Sequence, residues 1–297
     1  MSAFVIEAVA LSIVIVLSLC FNALVIIAFC KYFDTTKSKD IFLVSLAVSD
    51  LLQAIIGYPP EVKSMLIGTQ GVDFIVCKAV GFFVTFLGLV SINHIAYLAL
   101  ERLIAVAFPY TISKMQTKQF IVISLSVIWL LGLSWAVFPL LGWSDYVEES
   151  DGIRCSIAWQ DLSPSGRSYI YALVVFEYVI PVSIMATSFA VVRKVAKGMN
   201  ERQRQISGSQ HSEDAMKKHD KMIVVMASSY LIAWTPYAVI SIYGTITGNK
   251  ISATLGTAFA ITAKSSTMFN PMIYALLYND FRGKVKRLFG RRVTPVM

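Results

Sequence analysis

A lysine stands at position 264, and its neighbours Phe259, Ala260, Ile261, Ala263, Met268 and Phe269 offer no charge to balance it. An amine taken out of water is disfavoured in its charged form, and a neutral amine is a nucleophile for an aldehyde. A lysine can also snorkel to a membrane boundary, but Lys264 lies about twelve residues from either end of the apolar stretch 252–277. Acids occupy comparable surroundings: Asp50 in Leu46-Ala47-Val48-Ser49-Asp50, Glu61 after Pro59-Pro60, Glu101 beside Arg102, and Glu177 four residues before Pro181. Each ionisable group inside an apolar span costs roughly 2.5 to 3.5 kcal/mol on insertion scales, so each needs a partner or a task. Other chemistries have little to work with. His94, His211 and His219 are the only histidines, and the four cysteines show no C-x-x-C spacing, so no metal site is expected.

The elements that must position these groups follow from composition. Of 297 residues 56% are hydrophobic and only 15% charged, and the mean hydropathy is +0.66. Such a chain is neither a soluble enzyme, a disordered segment nor a nucleic-acid-binding domain, despite a net charge of +8. Apolar stretches recur at 5–31, 40–66, 74–107, 119–141, 168–192, 221–247 and 252–277. At about 1.5 Å per residue each can cross a hydrocarbon layer of roughly 30 Å. The expectation is an all-α membrane protein: one domain over 1–297, a bundle of seven transmembrane helices, and a short amphipathic cytosolic helix over 279–290. Pro59-Pro60, Pro181, Pro236 and Pro271 are expected to kink helices without breaking them.

Of the 26 basic residues, 20 fall in the connections after spans one, three and five and in the C-terminal tail. The positive-inside rule then puts the N-terminus outside and the C-terminus in the cytosol. The first stretch is too long for a leader's apolar region and lacks a small-residue cleavage site, so it reads as a retained span. The short ends are also compatible with trimming of a longer parent. Cys20 and Cys30 are expected to be inert packing residues. Helix geometry links two of the acids: eleven steps of about 100° bring Glu61 to within about 20° of the face of Asp50 and about 16 Å further outward.

Asn22, Leu46-Ala47-Val48-Ser49-Asp50, Cys77, Glu101-Arg102, Trp129, Pro181, Trp234-Thr235-Pro236-Tyr237 and Asn270-Pro271-Met272-Ile273-Tyr274 together resemble the rhodopsin-like G-protein-coupled receptors. Lys264, six residues before Asn270, is similar to the retinal-attachment lysine of animal opsins. That resemblance implies a plasma-membrane light receptor holding retinal, 11-cis in the dark, as a protonated Schiff base on Lys264. It implies a pocket lined by Gly81, Thr85, Gly88, Trp159, Tyr178, Tyr230, Trp234 and Tyr237, in which the small residues make room for the polyene. It also implies a disulfide between Cys77 and Cys155 that pins the outer loop as a lid, and a G protein, arrestin and a receptor kinase as partners.

A buried cation needs an anion nearby. Vertebrate visual opsins carry that acid three residues after the bridging cysteine, where this chain has Val80. Glu61, Glu149 and Glu177 remain. In the family Asp50 faces the bundle near Asn270, and Lys264 lies about 9 Å outward of Asn270 with a side chain adding roughly 6 Å, so its nitrogen reaches the height of Glu61. Glu61 therefore ranks first. Glu149 ranks second, although Glu148, Glu149 and Asp151 could simply form a solvated acidic run. Glu177 falls toward the ring end of retinal, as a hydrogen-bonded carboxyl that tunes the spectrum. An acid at Glu61 with none at Val80 resembles the jellyfish-type cnidarian opsins, which implies a stimulatory G protein and rising cyclic AMP.

On the cytosolic side, Glu101-Arg102-Leu103 replaces Asp/Glu-Arg-Tyr, and with Asn270, Pro271 and Tyr274 it is expected to serve G-protein coupling. Arg102 is expected to pair with Glu101 at rest. Met216 occupies the place of an acid that locks that arginine, and Phe189 replaces a common tyrosine, so basal activity is expected to exceed that of visual rhodopsins. Phe281, Arg282, Lys284, Lys286 and Arg287 read as a helix lying on the anionic inner leaflet. Two other readings compete: a retinal photoisomerase resembling retinochrome, and a receptor for a diffusible anion that salt-bridges Lys264.

Overall fold

The computed structural model describes residues 3–32, 38–67, 73–149, 152–206, 211–249 and 251–290. A helix satisfies its own backbone polar groups, which is why sequences this apolar fold as helices and leave side chains to pack. The first span is Ala3–Lys31 and the third is Phe74–Ala107; the sixth lies within His211–Thr247. Capping side chains set several starts. Asp73 accepts the backbone N–H groups of Ile75 and Val76 at 3.0 and 3.1 Å, Thr117 caps the fourth span, and Ser163 caps the fifth with Pro164 in its first turn.

Prolines shape the remaining spans. The second consists of Ser38–Leu52, a π-helical turn Gln53–Gly57 and Pro59–Ile67. The fifth consists of Pro164–Val174, a second π-helical turn Val175–Val179 just before Pro181, and Ile180–Ile206. Proline removes the N–H that would close the preceding turn, and a widened turn is one way to absorb the loss. The fourth span, Lys118–Val137, ends in a 3-10 turn Phe138–Leu141 closed by Gly142 at φ 92°, a left-handed conformation suited to glycine.

The seventh span departs most from expectation. It is two helices, Ala253–Lys264 and Ser266–Leu277, meeting at Ser265. The Met268 N–H turns to the Ser265 carbonyl at 3.1 Å, which frees the Lys264 carbonyl to accept the Thr267 hydroxyl at 2.9 Å. The interruption therefore falls at the lysine itself, whereas Pro236 and Pro271 both lie inside helices.

The third span is the hub, packed against the second, fourth, fifth and sixth; the seventh fills the gap between the first, second and sixth. A buried core of Val25, Phe42, Leu46, Ile95, Met226 and Tyr274 runs through the inner half. One feature outside the all-α expectation is an antiparallel hairpin in the loop after the fourth span, β1 (Tyr146–Glu148) paired with β2 (Cys155–Ile157).

The last helix runs Asn279–Leu288, two residues short of the expected end. Phe281 is buried and stacks on Phe29 at 5.7 Å. Lys284, counted among the basic residues of a helix on the inner leaflet, is buried against the bundle, 3.0 Å from Asp40 and 2.7 Å from Asp280. Tyr278 donates to the same Asp40 at 2.7 Å. Cys20 and Cys30 are exposed on the outer face of the first span, so they are not packing residues.

Candidate functional site

Lys264 is buried, and its Nζ forms an ion pair with Glu61 Oε2, itself buried. The π-helical turn and Pro59-Pro60 carry Glu61 inward, and the break at Ser265 ends the helix at the lysine. Tyr58, fully buried, lies with its ring 5.8 Å from Lys264 Nζ and donates to Gln53 Oε1 at 3.1 Å. The other oxygen of Glu61, Oε1, is buried with no hydrogen-bond partner among the described residues. Nothing in the sequence reading had singled out Gln53 or Tyr58; an intramembrane glutamine five residues before a tyrosine is the only available hint.

Lys264 lines a cavity of about 1080 Å³, mouth included. Gly81, Thr85, Gly88, Glu149, Trp159, Glu177, Tyr178, Tyr230, Trp234 and Tyr237 all line it, so the structure brings every expected pocket residue to one place. Glu61 stands behind that lining, reaching the lysine from outside the cavity. Aromatic contacts fix the walls. Tyr230 stacks on Trp234 at 5.6 Å, Trp234 donates to Ser266 at 3.0 Å, and Tyr178 shares a 2.6 Å hydrogen bond with Thr235. The glycines make room for protein more than for ligand. A Cβ on Gly81 would come within 2.6 Å of Tyr146 Cδ1, and one on Gly88 within 3.4 Å of Trp234.

The lid is the hairpin. Cys77 and Cys155 form the expected disulfide, which fastens β2 to the top of the third span. Ile153 at the turn is buried among Leu11, Ala54 and Tyr58 of the first and second spans. Glu149 is partly buried and engaged on both oxygens. Arg154, only 2% exposed, pairs with its Oε2 at 2.8 Å, and Tyr237 donates to its Oε1 at 2.8 Å. Trp159 donates to that same tyrosine at 3.1 Å, and Arg154 also donates to the Gly256 carbonyl at 2.9 Å. Arg154 stands beside Cys155, and that neighbour in the disulfide was the one signal that it would be carried inward.

Glu177 lies on the π-helical turn of the fifth span and accepts the Asn93 amide at 2.9 Å. Deeper in the bundle, Asp50 accepts Asn270 at 2.9 Å and Ser91 at 2.8 Å. Pro271 and Tyr274 are buried near it, and Glu101 and Arg102 are half-buried at the cytosolic end of the third span. Phe189 packs against the inner core. The side chains of Met216, Lys217 and Lys218 lie outside the described residues.

The profile of the seven-transmembrane receptors of the rhodopsin family matches residues 21–274. A G0-coupled rhodopsin of Mizuhopecten yessoensis is 32% identical over 91% of this chain and 68% of its own. The chain belongs to the animal opsins. Visual pigment-like receptor peropsin of Homo sapiens is 27% identical, over 92% of this chain and 81% of its own. The crystal structure of squid rhodopsin superposes with a TM-score of 0.87 at 23% identity, covering 97% of this chain and 85% of that one, which fixes the fold. This opsin is thus a multi-pass membrane receptor and not an enzyme, with G proteins as its class of partner.

Proposed function

We propose that this opsin is a light receptor of the plasma membrane, oriented with its N-terminus outside, that binds retinal in 11-cis form through Lys264 and signals through a G protein. The buried Lys264–Glu61 pair at the end of an aromatic cavity carries this reading. The residues fit the chromophore: the walls are largely apolar and aromatic, the amine lies on the lining, and Glu61 keeps one oxygen without a partner among the described residues. Retinal, linked as a protonated Schiff base, supplies the light absorption and the isomerisation.

The chain's own groups do the rest. Glu61 balances the positive charge held at Lys264 Nζ. Glu149 is the weaker claimant, because Arg154 already neutralises it. Tyr237 and Trp159 join the lid to the sixth span and keep water from the amine, and Glu177 tunes the spectrum from the far end. A diffusible anion is a poor ligand here, since the amine already has a carboxylate. Arg102, Asn270, Pro271 and Tyr274 serve the coupling step as the sixth span moves outward and opens a cleft beside Arg102, whose flank carries the exposed Arg193, Lys194 and Lys197 and suits an acidic or carboxylate-terminated helix.

For the G protein we propose the stimulatory class, on the likeness of the Glu61 and Val80 pattern to jellyfish-type opsins. The 32%-identical G0-coupled relative favours a second reading, coupling to the G0 class. Cells expressing the chain with 11-cis-retinal and illuminated at the pigment's absorption band decide it. A rise in cyclic AMP supports the stimulatory class. A fall, or a calcium transient with no rise, rejects it and leaves the light-receptor reading intact.

A further inference from the structure

One of the side chains that line the cavity carries an oxygen with no hydrogen-bond partner among the described residues. Lys264 is on the seventh span, which packs on the first, second and sixth; Glu177 is on the fifth, which packs on the third and sixth. Both line the one cavity, so a ligand anchored at Lys264 directs its other end toward Glu177. Glu177 is 3% exposed. Its Oε2 accepts the Asn93 amide at 2.9 Å, while its Oε1 is buried with no hydrogen-bond partner among the described residues.

Neighbouring polar groups are committed elsewhere. The Tyr178 hydroxyl is shared with Thr235 at 2.6 Å, and the Tyr230 hydroxyl donates to the Gly88 carbonyl at 3.3 Å. Buried carboxyl oxygens are rarely left unpaired, and a hydrocarbon ring pressed against this one would leave it so. A hydroxyl on the ring would not. It donates to a carboxylate and accepts from a carboxylic acid, so it satisfies Glu177 in either protonation state.

We propose that Glu177 is a specificity residue, and that this opsin selects a retinal-type aldehyde carrying a hydroxyl on its ring over one with an unsubstituted ring. The inference rests on Lys264 as the point of attachment. The two readings fail differently.

The full-length receptor in membranes is offered a limiting equimolar mixture of 11-cis-retinal and 11-cis-3-hydroxyretinal, and the bound chromophore is extracted and resolved by chromatography. The expected result is enrichment of the hydroxylated form by about tenfold, the equilibrium equivalent of one satisfied hydrogen bond. Glu177→Leu should bring the two forms close to parity, and Glu177→Gln, which keeps a donor and an acceptor, should retain a preference. Infrared spectra of the two pigments of the unsubstituted receptor should differ in a carboxyl band that Glu177→Gln removes. Parity in the unsubstituted receptor overturns the inference while leaving retinal binding in place, as does a preference that survives Glu177→Leu. If Glu177→Leu fails to reach the membrane, an identical carboxyl band in both pigments overturns it. No pigment with either aldehyde overturns the light-receptor reading and this inference together.

Discussion

Two ion pairs sit within reach of the same cavity, one buried on both sides and one half-buried at its acid, and they are built differently. At the lid, Glu149 has both oxygens engaged, one by Arg154 at 2.8 Å and one by the Tyr237 hydroxyl at 2.8 Å. In the membrane, Glu61 has one oxygen on Lys264 and the other without a partner among the described residues. Both pairs carry a desolvation cost that their mutual attraction must offset. The lid pair is a closed electrostatic unit whose charges cancel locally and whose hydrogen bonds join β1 and β2 to the sixth and seventh spans. The membrane pair is open. Any chemistry that changes the lysine nitrogen leaves Glu61 as the nearest uncancelled charge, which makes one acid structural and the other electronic.

The comparison can be broken most severely at the lysine. Lys264→Ala removes the cavity's amine and should abolish the visible pigment altogether on reconstitution with 11-cis-retinal, with the receptor still inserted in the membrane. A normal visible band from that variant would end the attachment claim. Arg154→Ala should do something smaller and of another kind. Removing Arg154 leaves the half-buried Glu149 without its cation, which should appear as a lower thermal midpoint of the receptor. The absorption band should stay in the visible, because Glu61 is untouched. A band that moves into the ultraviolet in Arg154→Ala would mean that the lid pair is coupled to the chromophore, and the division between the two acids would fall.

How much of this was legible in the sequence varies with the distance over which partners had to be found. Lys264 and Glu61 were legible because charges inside apolar spans are costly and few, and because an eleven-residue interval returns a helix to nearly the same face. The bundle followed from seven apolar stretches of sufficient length. The break at Ser265 did not, because Pro271 was the obvious irregularity and it lies within a regular helix. Arg154 was missed because its partner Glu149 is met only across a hairpin of three-residue strands, too short to leave an alternating pattern. The burial of Lys284 was not legible for a related reason: its partner Asp40, 244 residues away, draws it inward. Gly81 looked like room for a ligand, and only the position of Tyr146 shows what fills that room.

The central claim is that Glu61, not Glu149, supplies the negative charge opposite the chromophore-bearing nitrogen. It is tested most directly by reconstituting Glu61→Gln and Glu149→Gln with 11-cis-retinal and recording the dark absorption of each as a function of pH. A buried cation that loses its anion gives up its proton more readily. Glu61→Gln should therefore absorb in the ultraviolet at neutral pH and regain a visible band only on acidification, while Glu149→Gln should stay in the visible across the same range. An ultraviolet pigment from Glu149→Gln with a visible one from Glu61→Gln, or equal shifts in both, would contradict the account.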